Sequence, residues 1–154
     1  MNILIREFEE ADREALRRLF VASRNATFVW TPAGAHSLED FDRMTRGERI
    51  LVATLEGIPV GFAAIWEPDS CLHRLFVAPQ FQGCGVGGVL LAACDRYFSQ
   101  TPTLQYIKAS ESVQRFYLSQ GWRVIGEGPG LEGPHVVMTR ELSSYSAQPA
   151  RRAG

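Results

Sequence analysis

The sequence predicts a mixed α/β domain, a sheet of about seven strands flanked by about four helices, and three observations lead there. Segments with a two-residue repeat and segments with helical spacing alternate in the order strand, two helices, three strands, helix, strand, helix, two strands. A glycine-rich run falls between one of those strands and the helix after it. The length of 154 residues, 45% apolar and 21% charged, suits one globular domain with a sizeable core. The domain is predicted over residues 1–142. Residues 143–154, mostly Ser, Ala, Pro and Arg without period, are expected to be a flexible tail.

The elements read as follows. Asn2 to Phe8 alternates as a first strand. From Ala11 onward Ala15, Leu16, Leu19 and Phe20 recur at helical spacing, with Arg13, Arg17 and Arg18 on a face expected to be solvated. Asn25 to Gly34 shows no clear period, and Ser37 with Asp40 resembles an N-cap for a short helix to about Met44. Arg49 to Leu55 and Ile58 to Trp66 flank Glu56-Gly57 and predict an antiparallel hairpin. Cys71 to Val77 is the next strand, and Val86, Val89, Leu90, Ala93, Cys94 and Tyr97 mark a helix ending near Ser99. Thr103 to Ala109 is strand-like, and Glu111 to Gln120 is a helix stopped by Gly121. Trp122 to Ile125 and His135 to Arg140 are the last strands.

Composition excludes several classes. Sixteen basic against seventeen acidic residues leave a formal charge of -1, so no global field favours nucleic acid or an anionic membrane surface. The longest apolar stretch, Ile58 to Trp66, contains Pro59 and Gly61 and is far short of the roughly 20 residues a membrane-spanning helix needs. Cys71, Cys84 and Cys94 form an odd set without a CxxC pair, which fits free thiols in a reducing compartment and offers no metal site. The start lacks the basic and apolar regions of a signal peptide, and a cytoplasmic location is expected.

The run Gln82-Gly83-Cys84-Gly85-Val86-Gly87-Gly88 is the most informative segment. Glycines let backbone N–H groups approach a ligand, and a helix N-terminus adds roughly half a positive charge, so a phosphate or pyrophosphate suits it. A purely structural turn is the alternative. A P-loop would need Lys and Ser or Thr where Val89 and Leu90 stand. A dinucleotide fold would place an acid about 20 residues on, where the chain offers Tyr106, Ile107 and Lys108.

Leu75-Phe76-Val77-Ala78-Pro79 followed by Gln82-Gly83-Cys84-Gly85-Val86-Gly87 resembles the core motif of the Gcn5-related N-acetyltransferase (GNAT) superfamily: an apolar strand ending Val-x-Pro, then Gln/Arg-x-x-Gly-x-Gly/Ala. Ser110 to Trp122 is similar to the superfamily's Asn-x-x-Ala-x-x-Phe-Tyr-x-x-x-Gly-Phe, with Phe116, Tyr117 and Gly121 matching and Ser110, Val113 and Trp122 replacing Asn, Ala and Phe. Ile5-Arg6 with Asp12, and Val60-Gly61-Phe62, look like its first and third strands, so the resemblance spans about Ile3 to Leu142.

The resemblance implies a twisted sheet that splays between its fourth and fifth strands and holds acetyl-CoA as co-substrate, without metal. Leu75, Phe76 and Val77 would lie along the pantetheine. The loop from Gln82 through Gly83, Cys84, Gly85, Val86 and Gly87 to Gly88 would hold the pyrophosphate, with Ser110, Phe116 and Tyr117 completing the cofactor site.

The implied reaction is direct acetylation of an amine, preferably on a small molecule such as an amino acid derivative or an antibiotic, with peptide N-termini and protein lysines next. An alkylamine with pKa about 10.4 is neutral roughly once in 2,500 molecules at pH 7, so a base is expected. Tyr117 is the carried-over acid for the departing thiolate, a packing role being its alternative. His73, sharing a face with Cys71, Leu75 and Val77, is the expected base; Glu67 and His135 are rivals. Backbone N–H groups near Val77 are nominated for the thioester oxygen, and Phe28, Trp30 and Trp66 for an amine pocket or plain packing. A non-catalytic acyl-CoA sensor or interaction module is the alternative function. The chain is expected as a monomer or homodimer, binding neither nucleic acid nor membrane.

Overall fold

A computed structural model describes residues 2–27, 37–107, 111–129 and 134–141. The expected tail at 143–154 lies outside them. Seven strands are hydrogen-bonded in the order β1-β2-β3-β4-β5-β7-β6: β1 Ile3–Glu7, β2 Arg49–Leu55, β3 Ile58–Trp66, β4 Cys71–Val77, β5 Thr103–Ile107, β6 Arg123–Gly128 and β7 His135–Thr139. The helices are α1 Arg13–Thr27, α2 Glu39–Met44, α3 Val86–Cys94 and α4 Glu111–Ser119. The residues form two compact units, Met1–Ile65 with Arg74–Cys94 and Trp66–His73 with Asp95–Gly154.

In the first unit, β1 pairs antiparallel with β2 from Ile3↔Leu55 to Glu7↔Leu51, and β2 pairs antiparallel with β3. The β2–β3 turn puts Glu56 at φ 51° and Gly57 at φ 81°, two successive left-handed residues whose twist matches the hairpin. The register then slips between Ala53 and Thr54, so that Ala53 faces Gly61 and Thr54 faces Pro59. Val60 is the extra residue. Pro59 has no N–H to give the ladder, and a bulge is where a strand tolerates that. The carbonyl of Val60 instead accepts the Ala78 N–H at 2.8 Å.

One face of this sheet buries Val52, Phe62 and Ala64 against Leu16, Leu19 and Phe20 of α1 and Phe41 of α2. Phe20, Phe41, Phe62 and Phe76 meet largely edge-on with centroids 5.3–6.2 Å apart, a geometry worth about 0.5–1.5 kcal/mol per pair beyond burial. The arginines of α1 differ from the expected solvated face. Arg13 and Arg17 both bond the Asp42 carboxylate, tying α1 to α2. At the start of α1 the buried Asp12 accepts two bonds from Arg6 (2.7 and 2.8 Å) and one from the Glu9 N–H (2.8 Å). The Arg6 bonds hold its carboxyl below the usual range. Before α2, Asp40 reaches back to the Ser37 N–H (3.0 Å), the half of a capping box in which the acid answers the chain.

The opposite face carries α3. A β-carbon at Gly61 would stand 3.2 Å from Leu90 Cδ1, 3.4 Å from Val86 Cγ1 and 2.8 Å from the Phe76 carbonyl oxygen. α3 ends at Cys94, short of the expected Ser99, and a 3₁₀ turn follows over Asp95–Tyr97.

In the second unit, β4 and β5 are parallel through Cys71↔Thr103 and Leu72↔Leu104, the pairing that a crossover such as α3 permits. β5 pairs antiparallel with β7, and β7 with β6, whose Ile125 is an extra residue between Val124↔Met138 and Gly126↔Val137. Buried Ser70, left-handed at φ 50°, accepts the Ser99 and Gln100 N–H groups on its hydroxyl (3.0 and 3.2 Å). Arg140 pairs with Asp95 and lies 5.8 Å over the Trp122 ring.

Gly61→Ala is expected to cost about 1–3 kcal/mol, because the obstructing atom is a backbone oxygen that cannot rotate away. Chemical denaturation measures it, and an unshifted midpoint would show that β3 and β4 separate without penalty.

Candidate functional site

In the first unit the structure brings Phe76, Val77 and the glycine loop together at the end of β4. Phe76 sends its ring into the aromatic cluster, while Leu75 and Val77 are half-buried. After a 3₁₀ turn over Pro79–Phe81, the Gln82 side-chain amide donates back to the Val77 carbonyl at 3.2 Å. Gln82 therefore shapes the loop through a bond its neighbours in sequence cannot make. The Ala78 N–H, one of the donors near Val77 nominated for a thioester oxygen, is already given to Val60.

Gly83 and Gly85 sit at φ 82° and 88°, and a β-carbon at either would meet nothing within 4 Å. The requirement there is backbone conformation, since L side chains are strained in that region. The Val89 N–H closes the first turn of α3 on the Gly85 carbonyl at 3.2 Å. The amides of Val86, Gly87 and Gly88 precede that bond, and Gly85 has no side chain to cap them. From Pro79 to Cys94 there is no charged side chain, so an anion here would be held by amides and the helix dipole. Cys84 is exposed between the two left-handed glycines.

The second unit holds His73, Phe116 and Tyr117. His73 is exposed on β4, its ring nearly parallel (7°) to that of Trp66 with centroids 6.4 Å apart. Of its rivals, Glu67 is half-buried in a 3₁₀ turn, and His135 lies along β7 with its ring edge 3.4 Å from where a Gly128 β-carbon would stand. Phe28, Trp30 and Ser110 lie outside the described residues.

Tyr117 is buried, and the end of α4 explains its fixed position. The Gly121 N–H bonds the Leu118 carbonyl (3.1 Å), the Trp122 N–H bonds the Tyr117 carbonyl (3.0 Å), and Gly121 is left-handed at φ 91°. That is the Schellman helix stop. Its accompanying hydrophobic contact is between the rings of Tyr117 and Trp122, 6.1 Å apart. Phe116 at 5.1 Å and Tyr106 at 6.1 Å complete the ring cluster. The Phe-Tyr-x-x-x-Gly-Trp spacing thus places one tyrosine by stopping the helix with a glycine four residues after it.

Sequence reasoning passed over Tyr106. Alternation along Thr103–Ile107 puts it on the face of buried Leu104, a signal that was available; that its hydroxyl would be enclosed depends on α4 above it. Among the described residues no group of three or more His, Cys, Asp or Glu is placed to hold a metal ion, and no helix is long and apolar enough to cross a membrane.

Solved structures share this fold. A GCN5-related N-acetyltransferase from Rhodopseudomonas palustris superposes with a TM-score of 0.76 at 21% identity, covering 92% of this chain and 97% of that one. The PaiA N-acetyltransferase of Thermoplasma acidophilum, solved in complex with coenzyme A, gives 0.74 at 18% identity over 92% and 99%. YncA of Salmonella typhimurium, solved with its cofactor acetyl-CoA, gives 0.68 at 19% over 92% and 95%. At these identities the likeness is one of fold. A search of curated proteins finds no match. Residues 9–140 match the acetyltransferase (GNAT) domain model, and the chain belongs to the GNAT acetyltransferase family.

Proposed function

We propose that this chain transfers the acetyl group of acetyl-CoA to a primary amine, on a small molecule in preference to a protein. The observation that carries the reading is α3: a helix whose first amides follow two left-handed glycines, with no capping side chain at Gly85 and no charged residue from Pro79 to Cys94. A diphosphate is the ligand chemistry that such a helix start suits. Two of the similar structures hold coenzyme A or acetyl-CoA, which supports the same ligand here.

Acetyl-CoA supplies the activated thioester, and the chain's residues supply the rest. The amides of residues 86–88 hold the pyrophosphate, and the backbone of Phe76 and Val77 lines the arm. His73, exposed on β4, takes the proton from the incoming ammonium. The Tyr117 hydroxyl gives its proton to the departing sulfur, a light task because a thiol with pKa about 8.5 already leaves well. The Schellman stop supports that role, since it fixes the tyrosine backbone before any ligand arrives.

The reading is tested by calorimetric titration of the folded protein with coenzyme A, followed by thiol release from acetyl-CoA over a panel of small amines and peptides. Binding in the micromolar range with release on small amines is expected; no heat with coenzyme A would end it, and release only with peptides would move the substrate class. Tyr117→Phe should lower kcat at least tenfold while leaving the coenzyme A dissociation constant within about twofold. An unchanged kcat assigns Tyr117 to packing alone. His73→Ala should abolish the acid limb of the pH–rate profile and reduce kcat/KM by roughly a hundredfold, within the usual range for a lost general base. A profile of unchanged shape would return the base to Glu67 or His135.

A further inference from the structure

Trp66 and His73 form a ring pair within one short stretch of the second unit, Trp66–His73. Trp66 is the last residue of β3 and His73 stands on β4; their rings are nearly parallel, 7° apart in plane, with centroids at 6.4 Å. Trp66 is half-buried and His73 is exposed. The backbone between them is fixed. The Ser70 N–H closes the turn on the Glu67 carbonyl (3.0 Å), the Ser70 carbonyl accepts the Thr103 N–H (3.2 Å), and Leu72, next to His73, is buried. The segment thus holds both rings in place while leaving the imidazole open to solvent.

An exposed base needs such a neighbour. The χ2 torsion of histidine is broad, so the backbone and χ1 leave the plane of the imidazole free to turn. A general base works with its nitrogen within about 2.6–3.2 Å of the atom whose proton it takes, and roughly 1 Å of misplacement can cost a hundredfold in rate. An indole parallel to the imidazole fixes the plane that χ2 leaves open. Two attractions are available between such rings, and the distance decides between them. Offset stacking acts with centroids about 4.5–7 Å apart, whereas attraction of a cation to an indole face needs about 6 Å or less. At 6.4 Å the first applies and the second is at the limit of its reach, so the indole acts on the orientation of the imidazole more than on its charge.

We propose that Trp66 is a positioning residue for His73, its indole holding the imidazole plane in the orientation used for proton transfer. This rests on the reading that His73 is the base. The role asks for no contact between Trp66 and either substrate, and it replaces the amine-pocket role that the sequence offered for this residue. Any further contact of His73 stays in place when Trp66 alone is changed, so the contribution of the indole is separable.

The test uses the full chain as wild type, Trp66→Leu, Trp66→Phe, His73→Ala and the double variant of Trp66→Leu with His73→Ala. In proton NMR the His73 ring signal, assigned by its loss in His73→Ala, is expected to move in Trp66→Leu because the indole ring current is gone. Turnover of acetyl-CoA with the most active amine of the panel should fall roughly two- to tenfold in Trp66→Leu, the equivalent of one ring pair, and be largely restored in Trp66→Phe. The coenzyme A dissociation constant should stay within about twofold throughout. With His73→Ala already present, Trp66→Leu should cost nothing more, since nothing is left to position. An unmoved His73 signal, an unchanged kcat in Trp66→Leu, or an equal loss in the two backgrounds overturns the proposal, the last by assigning Trp66 to the fold or to substrate binding. A His73→Ala protein as fast as wild type overturns the base assignment and the proposal with it, and that failure is read from His73→Ala alone, apart from those read in Trp66→Leu. Should Trp66→Leu fail to fold, Trp66→Met, which fills the space without a ring, takes its place. Nuclear Overhauser transfer between the indole and imidazole protons of the wild type then decides the contact without any variant, and its absence refutes the stack.

Discussion

A helix that starts on glycine has no side chain to cap its own first amides, and the site proposed at the start of α3 depends on that. Ser or Asp at position 85 would cap α3 somewhat better, but only by a few tenths of a kcal/mol over glycine. Either would occupy amides that the proposed ligand would use and would be strained at the left-handed φ of 88°. The stretch from Pro79 to Cys94 carries no charge, so nothing else in it competes for an anion. Recognition by amides and dipole alone asks for accurate placement, because a backbone donor cannot reach out as a lysine can.

Placement comes from what holds the end of β4. The Val60 carbonyl, freed by the bulge that Pro59 imposes, fixes Ala78. Gly61 lets the Phe76 carbonyl come close, and the Phe76 ring is wedged among Phe20 and Phe62. Gln82 then clamps the loop onto Val77 from the other side. Each contact is modest by itself. Together they fix both residues that flank the turn, so the glycines bend the chain between anchored ends.

Much of this was legible in the sequence, and the limits are instructive. The order of elements, the Glu56-Gly57 hairpin and the stop at Gly121 follow from rules that act over a few residues, so alternation and turn chemistry were enough. The helix through Tyr97 was overextended because a 3₁₀ turn over Asp95–Tyr97 continues the spiral that periodicity detects. The α1 arginines read as solvated because their partner, Asp42, lies on another helix 25 residues away. Gly61 looked like motif, and only the approach of Phe76 gives it a reason. The residues of the glycine loop were readable because their backbone demands are local. The surroundings of Tyr117 were not, since the spacing of residues 116–122 predicts a helix stop and says nothing of which ring lies beneath it.

Both units answer most of their buried polarity within the fold. In the first, Asp12 is engaged by Arg6 and the Glu9 amide, and Asp40 by Ser37 and Arg43. Those bonds secure helix starts and ask nothing of a ligand. In the second, Ser70 and Thr139 are engaged in the same way, while the Tyr106 hydroxyl and the Trp122 indole N–H have no partner among the described residues. Local propensity, packing and hydrogen bonding agree nearly everywhere in such a fold, and a site that must receive a ligand is where they are expected to part. The ring cluster is held by the apolar contacts of Tyr117 with Tyr106, Phe116 and Trp122, which position the tyrosine before any ligand arrives.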